Sequence, residues 1–133
     1  MRSHPLREVH RWLLEVGVRR FSDIIDSIKL VESLPGTPIK VRVIMVDGSF
    51  LDIYWSPSGR YSLHYERRHI DGRIYRHDNA PHPSHRHVRT FPKHYHEGDE
   101  HHVVESHLPE RTYKSGRGVP RSHKGDNKNF SNR

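Results

Sequence analysis

The sequence predicts an α+β fold, with two N-terminal helices packed on a four-stranded antiparallel meander, then a histidine-rich segment and a disordered basic tail. Three observations support this. Apolar residues in the first third recur at the three- to four-residue spacing of helices. A β-branched run then begins at Ile39, and Asp-Gly pairs, which favour tight hairpin turns, follow it. With 133 residues the chain has the length of one small domain, which we place at residues 1–107.

Both predicted helices follow from an amphipathic pattern. The first begins after Ser3 and ends near Gly17. Its apolar face is formed by Leu6, Val9, Leu13 and Val16. The second begins near Ser22, a good N-cap, and ends before Pro35-Gly36. Its apolar residues are Ile24, Ile25, Ile28 and Val31. Neither helix is expected to be stable without a sheet to cover.

The four predicted strands are separated by turn sequences rich in glycine and aspartate. They span residues 39–46, 50–55, 60–67 and 73–79. If Asp47-Gly48 and Asp71-Gly72 form two-residue turns and residues 56–59 a four-residue turn, the register follows. The helix-facing side then carries Val41, Val43, Met45, Phe50, Tyr54, Tyr61, Leu63, Tyr65 and Ile74. On the opposite side, Glu66 lies across from His77 and His64 across from Asn79.

Composition excludes several classes of protein. The chain has no cysteine, so disulfides, thiolate zinc sites, iron–sulfur clusters and cysteine nucleophiles are ruled out. No run of apolar residues is long enough for a transmembrane helix or a signal peptide, so no membrane association and a cytoplasmic location are expected.

The net charge of +7 is concentrated in the tail, residues 108–133. This tail is rich in Gly, Ser, Lys, Arg and Asn and has few large apolar residues, which predicts disorder. A basic arm can contact a polyanion without folding, and it can equally be a solvated terminus.

Histidines dominate the segment after the last predicted strand. Nine of the fourteen histidines lie between His77 and His107, interleaved with prolines that discourage a long helix. Residues i and i+2 of a strand point the same way, so the pairs His85-x-His87 and His94-x-His96 can each present two imidazoles to one metal or one phosphate.

Residues 76–82, Arg-His-Asp-Asn-Ala-Pro-His, followed by residues 91–96, Phe-Pro-Lys-His-Tyr-His, resemble the toxin family of the TumE-like toxin–antitoxin systems. The resemblance extends over residues 20–107 and is most specific at Asp-Asn-Ala-Pro-His. It implies a growth-inhibiting toxin, an endoribonuclease, held in check by a cognate small DNA-binding antitoxin. By position, the polar motif of the family falls on Asp78, Asn79, His82, His94 and His96. This chain departs from the family pattern after residue 106, where a basic tail replaces an acidic helix.

The residues also contain what metal-independent RNA cleavage needs: a base, an acid and cations for the phosphate. Histidine suits both proton roles because its ordinary pKa is about 6.5. The predicted catalytic residues are His77, His82, His94 and His96, with Asp78 or Asn79 orienting a histidine. The predicted contacts to single-stranded RNA are Arg73, Arg76, Arg68, Tyr75 and Arg86. The layout is similar to that of the RelE-like ribonuclease toxins, which is an argument from architecture alone.

Two alternatives stay open. The main prediction needs no cofactor. In the first alternative, the histidines bind a divalent metal such as zinc, which either braces the histidine-rich segment or activates water. The candidate ligands are His82, His85, His87, His94 and His96, with Asp78 or Glu97. In the second, the chain is an RNA-binding module without catalysis, which the mostly neutral histidines disfavour. An oligomer is possible, and the sequence does not decide its state.

Overall fold

The N-terminal segment forms one continuous helical stretch. In the computed structural model, which describes residues 3–109, helix α1 spans Pro5–Trp12. It continues through a π-helical turn, Leu13–Gly17, and ends with an α-helical turn, Val18–Arg20. Nδ1 of His4 accepts a hydrogen bond from the amide of Leu6 at 3.0 Å and caps the first turn. The predicted first helix is confirmed, although it ends later than expected.

The predicted second helix is wrong, because Ile25–Leu34 forms strand β1. A tight turn at Pro35-Gly36, with Gly36 at φ +87°, returns the chain into β2, Thr37–Met45. The pairing of β1 with β2 shifts register between Ile25 and Ser27 and again near the end of the strand. Bulges of this kind insert unpaired residues and break the two-residue alternation of a strand. The resulting apolar spacing imitates a helix.

A single antiparallel sheet contains seven strands, each hydrogen-bonded to its neighbours in sequence. After β1 and β2 come β3 Phe50–Trp55, β4 Tyr61–Arg67, β5 Arg73–Asp78, β6 His94–Gly98 and β7 Val103–Glu105. The expected layout of two helices on four strands, like that of the RelE-like toxins, is therefore wrong. It lacked β1, taken for a helix, and β6 and β7, which come from the histidine-rich segment. Most of the predicted disordered tail, residues 108–133, lies outside the described residues.

Two three-residue loops set the register of β2, β3 and β4. The amide of Met45 donates to the Ser49 carbonyl at 2.9 Å, and the amide of Ser56 donates to that of Arg60 at 2.8 Å. Each loop ends in a glycine with a left-handed φ, +91° at Gly48 and +97° at Gly59. The predicted turns had two and four residues, so each differs in length from the observed loop by one residue. A register shift of one residue moves every side chain of a strand to the other face of the sheet.

Strand β3 therefore faces the other way from the expectation. Its apolar residues Leu51, Ile53 and Trp55 lie on the helix-facing side. Leu51 pairs with Val43 and Ile53 with Val41 on β2, and Trp55 pairs with Tyr61 on β4. Tyr54, expected in the core, is 41% exposed. Because the two shifts cancel, β4 keeps its predicted orientation.

The connection between β4 and β5 is also longer than expected. A helical turn, Arg68–Asp71, ends at Gly72 with φ +82°, and Arg67 pairs with Arg73. Glu66 consequently lies opposite Ile74 rather than His77, and His64 lies opposite Arg76 rather than Asn79. The polar residues Arg76 and Asp78, which the expected register placed in the core, share the face of His64 and Glu66.

The apolar core lies between α1 and the first half of the sheet. It is formed by Leu6, Leu13, Val41, Val43, Ile53 and Leu63. Leu6 and Val41 are completely buried. The opposite face of β4, β5 and β6 carries mostly polar side chains. Ile74, expected on the helix-facing side, lies there opposite Glu66 and is 1% exposed. Among residues 3–109, no helix combines the length and the apolar character needed to cross a bilayer.

Candidate functional site

Polar side chains converge on the sheet face that points away from α1. The register places His64, Arg76 and His96 in one row across β4, β5 and β6, and Ser62, Asp78 and His94 in the next. Residues paired across neighbouring strands have side chains on the same face. Chemistry-bearing groups that are far apart in sequence therefore meet on this face.

His94 and His96 are the most deeply buried members of this group, at 1% and 4% exposure. They are two residues apart on β6, so both rings project from the same face, with centroids 4.9 Å apart. Nδ1 of His94 lies 2.8 Å from the carbonyl oxygen of Pro92, and Nδ1 of His96 lies 2.9 Å from that of Glu100. A carbonyl only accepts, so both Nδ1 atoms must carry the proton. Nε2 of each ring then faces the site.

Asp78 presents its carboxylate to both rings. Oδ1 lies 3.0 Å from Nε2 of His94, and Oδ2 lies 3.7 Å from Nε2 of His96. The same carboxylate accepts hydrogen bonds from the amide of Ala80 and from Nε of Arg76, each at 3.0 Å. Asp78 is 7% exposed, so these bonds hold its carboxylate in one orientation.

A third imidazole approaches from outside the sheet. His85 ends the 3₁₀ turn Pro83–His85, and its ring centroid lies 4.3 Å from that of His94 and 5.5 Å from that of His96. One ligand atom from each of the three rings lies within 4.8 Å of the other two. We call His85, His94, His96 and Asp78 the histidine cluster.

Burial lowers the pKa of His85, and the neighbouring His94 and His96 lower it further. Burial also lowers the pKa of His96. Because a lowered pKa favours the uncharged form, these two imidazoles are neutral near pH 7 and offer lone pairs.

Charged groups surround the histidine cluster on one side. The Arg76 guanidinium donates to both oxygens of Glu100, at 2.7 and 3.1 Å. Burial disfavours the charged form of Arg76, yet its bonds to Glu100 and Asp78 outweigh burial and raise its pKa. Next along β4, hydrogen bonds from Arg68 and His64 lower the pKa of Glu66 to about 2. Arg76 is thus occupied by internal partners.

Several predicted site residues lie elsewhere. His77, predicted to be catalytic, projects from the helix-facing side, where its ring stacks on Tyr95 at 4.2 Å and Nδ1 bonds the Ser106 hydroxyl at 2.8 Å. Tyr75 shares that side and stacks on Tyr65, at 6.3 Å. Arg73, exposed, also belongs to that face by its register.

The remaining predicted residues lie around the histidine cluster or brace the loops. Asn79 accepts a hydrogen bond from the Tyr61 amide at 2.9 Å and donates to the Gly59 carbonyl at 3.0 Å, which fixes the loop between β3 and β4. His82 is exposed and accepts from the amide of Ser84. Arg68, Arg86 and His87 are also exposed. Glu97, an alternative metal ligand, pairs with Tyr75 on the opposite face.

Glu100 and His64 were not among the predicted site residues, although His64 was expected on the polar face. Glu100 lies four residues after His96 in the loop between β6 and β7, a loop that only the pairing of β6 with β7 reveals. No spacing in the sequence marks it. Its carbonyl holds His96 and its carboxylate holds Arg76, so it connects both parts of the site.

Comparison with known proteins agrees with the sequence motifs. Searches among curated proteins and among solved structures found no significant match. A family model described as toxin TumE matches residues 14–117, which is most of the chain and includes the whole histidine cluster. The match confirms the resemblance noted in Asp-Asn-Ala-Pro-His and the histidine segment after it. The chain belongs to the TumE family of toxins.

Proposed function

We propose that this toxin inhibits growth by cleaving RNA, with the histidine cluster as its reaction centre. The observation that carries the proposal is a cluster of three imidazoles, two of which face one buried carboxylate. Proton transfer and metal activation of water, the two established ways to hydrolyse a phosphodiester, both use imidazole and carboxylate groups. Family membership supports the toxic role, and the cluster supports the chemistry.

In a metal-independent mechanism, one imidazole takes the proton of the 2′-hydroxyl, the 2′-oxygen attacks phosphorus, and a second imidazole protonates the departing 5′-oxygen. The product is a 2′,3′-cyclic phosphate. This mechanism needs two imidazoles on opposite sides of one phosphate. His94 and His96 instead direct Nε2 at the same carboxylate and are almost fully buried, so of the three clustered imidazoles His85 alone is open to substrate.

That arrangement favours the second candidate, metal-dependent hydrolysis. His85, His94, His96 and Asp78 would hold the metal, which would supply an activated water for direct hydrolysis of the phosphodiester to a linear phosphate. In this role His94 and His96 would act without touching RNA, which is compatible with their burial.

The cations available to the substrate are the exposed ones. Arg86 and His87 follow the turn that carries His85, and the Arg68 side chain is 56% exposed. Arg86 can contact a phosphate without breaking a buried ion pair, whereas Arg76 and Arg68 are paired with Asp78 and Glu66. We therefore place the RNA along the segment of residues 82–87, above the histidine cluster.

The experiment that tests the function uses purified toxin with labelled single-stranded RNA, with and without EDTA, and with translating ribosomes, where EDTA is left out because ribosomes need Mg²⁺. Wild-type protein is expected to cleave RNA, and His85→Ala to reduce the rate by at least about 100-fold. His101→Ala, an exposed histidine outside the cluster, is the matched control and should retain the wild-type rate. Circular dichroism checks that both variants are folded.

Each outcome has one meaning. EDTA-resistant cleavage with cyclic ends establishes the metal-independent mechanism, and EDTA-sensitive cleavage with linear ends establishes the metal-dependent one. Failure of the folded toxin to cleave any of these RNAs contradicts the proposed function, as does equal loss of activity in the His101→Ala control.

A toxin of this family implies an antitoxin partner. We propose that the partner is a small DNA-binding protein that covers the histidine cluster and the exposed cations around it, so that RNA is excluded. Co-expression with its antitoxin should restore growth. If the complex still cleaves RNA at the free toxin's rate, the antitoxin binds elsewhere.

A further inference from the structure

We propose that the histidine cluster binds one divalent transition-metal ion of the zinc class, through His85, His94 and His96 with Asp78 as a further ligand. This inference concerns the same site as the proposed RNA cleavage, and it is tested below by metal binding alone.

The donor set fits such an ion. Zinc sites have three or four protein ligands, commonly imidazole nitrogens and carboxylate oxygens, at about 2.0–2.1 Å from the metal. In tetrahedral geometry, neighbouring donor atoms then lie about 3.4 Å apart. The three imidazole donors already lie within 4.8 Å of one another. Asp78 Oδ1 and Oδ2 lie 3.0 and 3.7 Å from Nε2 of His94 and His96. Small side-chain shifts suffice to close the shell.

The ring orientations fit as well. A metal-binding histidine usually donates its second nitrogen to a carbonyl or carboxylate, which fixes the tautomer and directs the other lone pair at the metal. Pro92 and Glu100 supply these carbonyls to Nδ1 of His94 and His96. Asp78 is oriented in the same way, by the amide of Ala80 and the guanidinium of Arg76.

Nε2 of His94 and the Asp78 carboxylate are directed at each other. Nε2 lies 3.0 Å from Oδ1 of Asp78, while Nδ1 of the same ring is directed at the Pro92 carbonyl. A metal ion held by a ring nitrogen and a carboxylate oxygen fits this arrangement.

The surrounding charge favours the metal. Beside the imidazoles, the site holds the carboxylates of Asp78, Glu100 and Glu66 and the guanidinium groups of Arg76 and Arg68. Acidic groups therefore exceed basic ones by one, which attracts a cation. Imidazole-rich sites prefer zinc, nickel, copper or iron, whereas magnesium and calcium prefer all-oxygen shells, so the ion is of the former class.

The test is a binding titration of the full-length chain after removal of metal with EDTA and dialysis. We expect calorimetry with Zn²⁺ to give one ion per chain. Co²⁺, a spectroscopic substitute, should give the intense visible absorption of a four-coordinate site, and Zn²⁺ should displace it. His85→Ala and His96→Ala should each weaken Zn²⁺ binding at least tenfold and diminish the Co²⁺ bands, whereas His101→Ala should bind as the wild type does.

His85 is the key position because its ring lies outside the sheet, so its truncation opens no hole in the core. Absence of one-to-one binding overturns the proposal, and so does binding that His85→Ala and His96→Ala leave unchanged. The latter result would mean an adventitious ion only, held by other surface histidines.

The outcomes separate this proposal from the proposed function. If the chain binds Zn²⁺ tightly through the cluster and no RNA is cleaved, the metal site stands and RNA cleavage fails. If metal-free protein cleaves RNA and binds no Zn²⁺ at the cluster, RNA cleavage stands and the metal site fails.

Discussion

The guanidinium of Arg76 donates hydrogen bonds to both carboxylate oxygens of Glu100, at 2.7 and 3.1 Å, and so ties β5 to the loop that follows β6. Arg76 also bonds Asp78, whose side chain is 11% exposed. Replacing Arg76 by Gln removes the charge that compensates this buried carboxylate. We expect the free energy of unfolding to fall by about 2 kcal/mol, measured by urea denaturation at pH 7.

The matched control is Glu100→Gln. The Glu100 side chain is 41% exposed, so water solvates Arg76 in its place and the cost should stay below about 1 kcal/mol. Equal costs for Arg76→Gln and Glu100→Gln would show that the pair with Asp78 contributes nothing beyond a surface ion pair.

A second prediction concerns the packing of α1 on the sheet. Leu6 is completely buried among Val41, Val43 and Ile53. Truncation to alanine leaves a cavity there, so Leu6→Ala should lower the free energy of unfolding by about 2–5 kcal/mol. Leu14→Ala removes the same atoms from a side chain that is 50% exposed and should cost about 0.5 kcal/mol or less. Comparable losses in thermal or urea unfolding would contradict the packing of this helix.

A third prediction tests the three-residue loop between β3 and β4. Gly59 has φ +97°, and an added Cβ would meet nothing within 4 Å. The cost of Gly59→Ala is therefore conformational, about 1–2 kcal/mol. Gly59→Asn should cost less than Gly59→Ala, because asparagine adopts left-handed geometry more readily. The reverse order in urea denaturation would mean that the loop has another conformation.

A fourth prediction concerns the stability of the fold in acid. In the folded chain the pKa of Glu66 is about 2, lowered from 4.5 mainly by the hydrogen bond from Arg68. A carboxylate with a lowered pKa stabilises the fold above its unfolded pKa, and this stabilisation is lost as the pH falls from about 4.5 to about 2. Arg68→Ala removes the main partner, so its stability should fall less steeply across this range than that of the wild type.

Arg60→Ala provides the reference for that measurement, since Arg60 is exposed and lies in the loop before β4. Denaturation midpoints measured at half-unit steps from pH 5 to pH 2 give the slopes. The assignment to Glu66 fails if Arg68→Ala and Arg60→Ala show the same slope.

Local patterns predicted the segments of the fold better than their arrangement. The first helix and the strands between residues 39 and 79 could be recognised from periodicity and turn residues. Ile25–Leu34 could not, because bulges spread its apolar residues at helical spacing. β6 escaped recognition because prolines and histidines surround a strand of only five residues, which has no apolar alternation to reveal it.

The site depended on register, which the sequence determines only weakly. The pairing of His94 with His96 on one face could be read from their two-residue spacing. The approach of Asp78 to them could not, since it requires β5 and β6 to be neighbours with Asp78 opposite His94. An error of three residues in the turn after β4 placed His77 opposite Glu66, where Ile74 lies, and turned Asp78 to the other face. One loop length thus decided which residues seemed to be catalytic.

The strict sequence order of the strands has a consequence for how the toxin folds. Each strand pairs with the one before it, so most contacts close short loops, which favours rapid folding and permits strand-by-strand growth of the sheet during synthesis. The helix and β1 to β4 can assemble while His85, His94 and His96 are still being translated. Asp78, His85, His94 and His96 come together only when β6 adds to the edge of the sheet. The proposed reaction centre therefore forms only when nearly all of residues 3–109 have been translated.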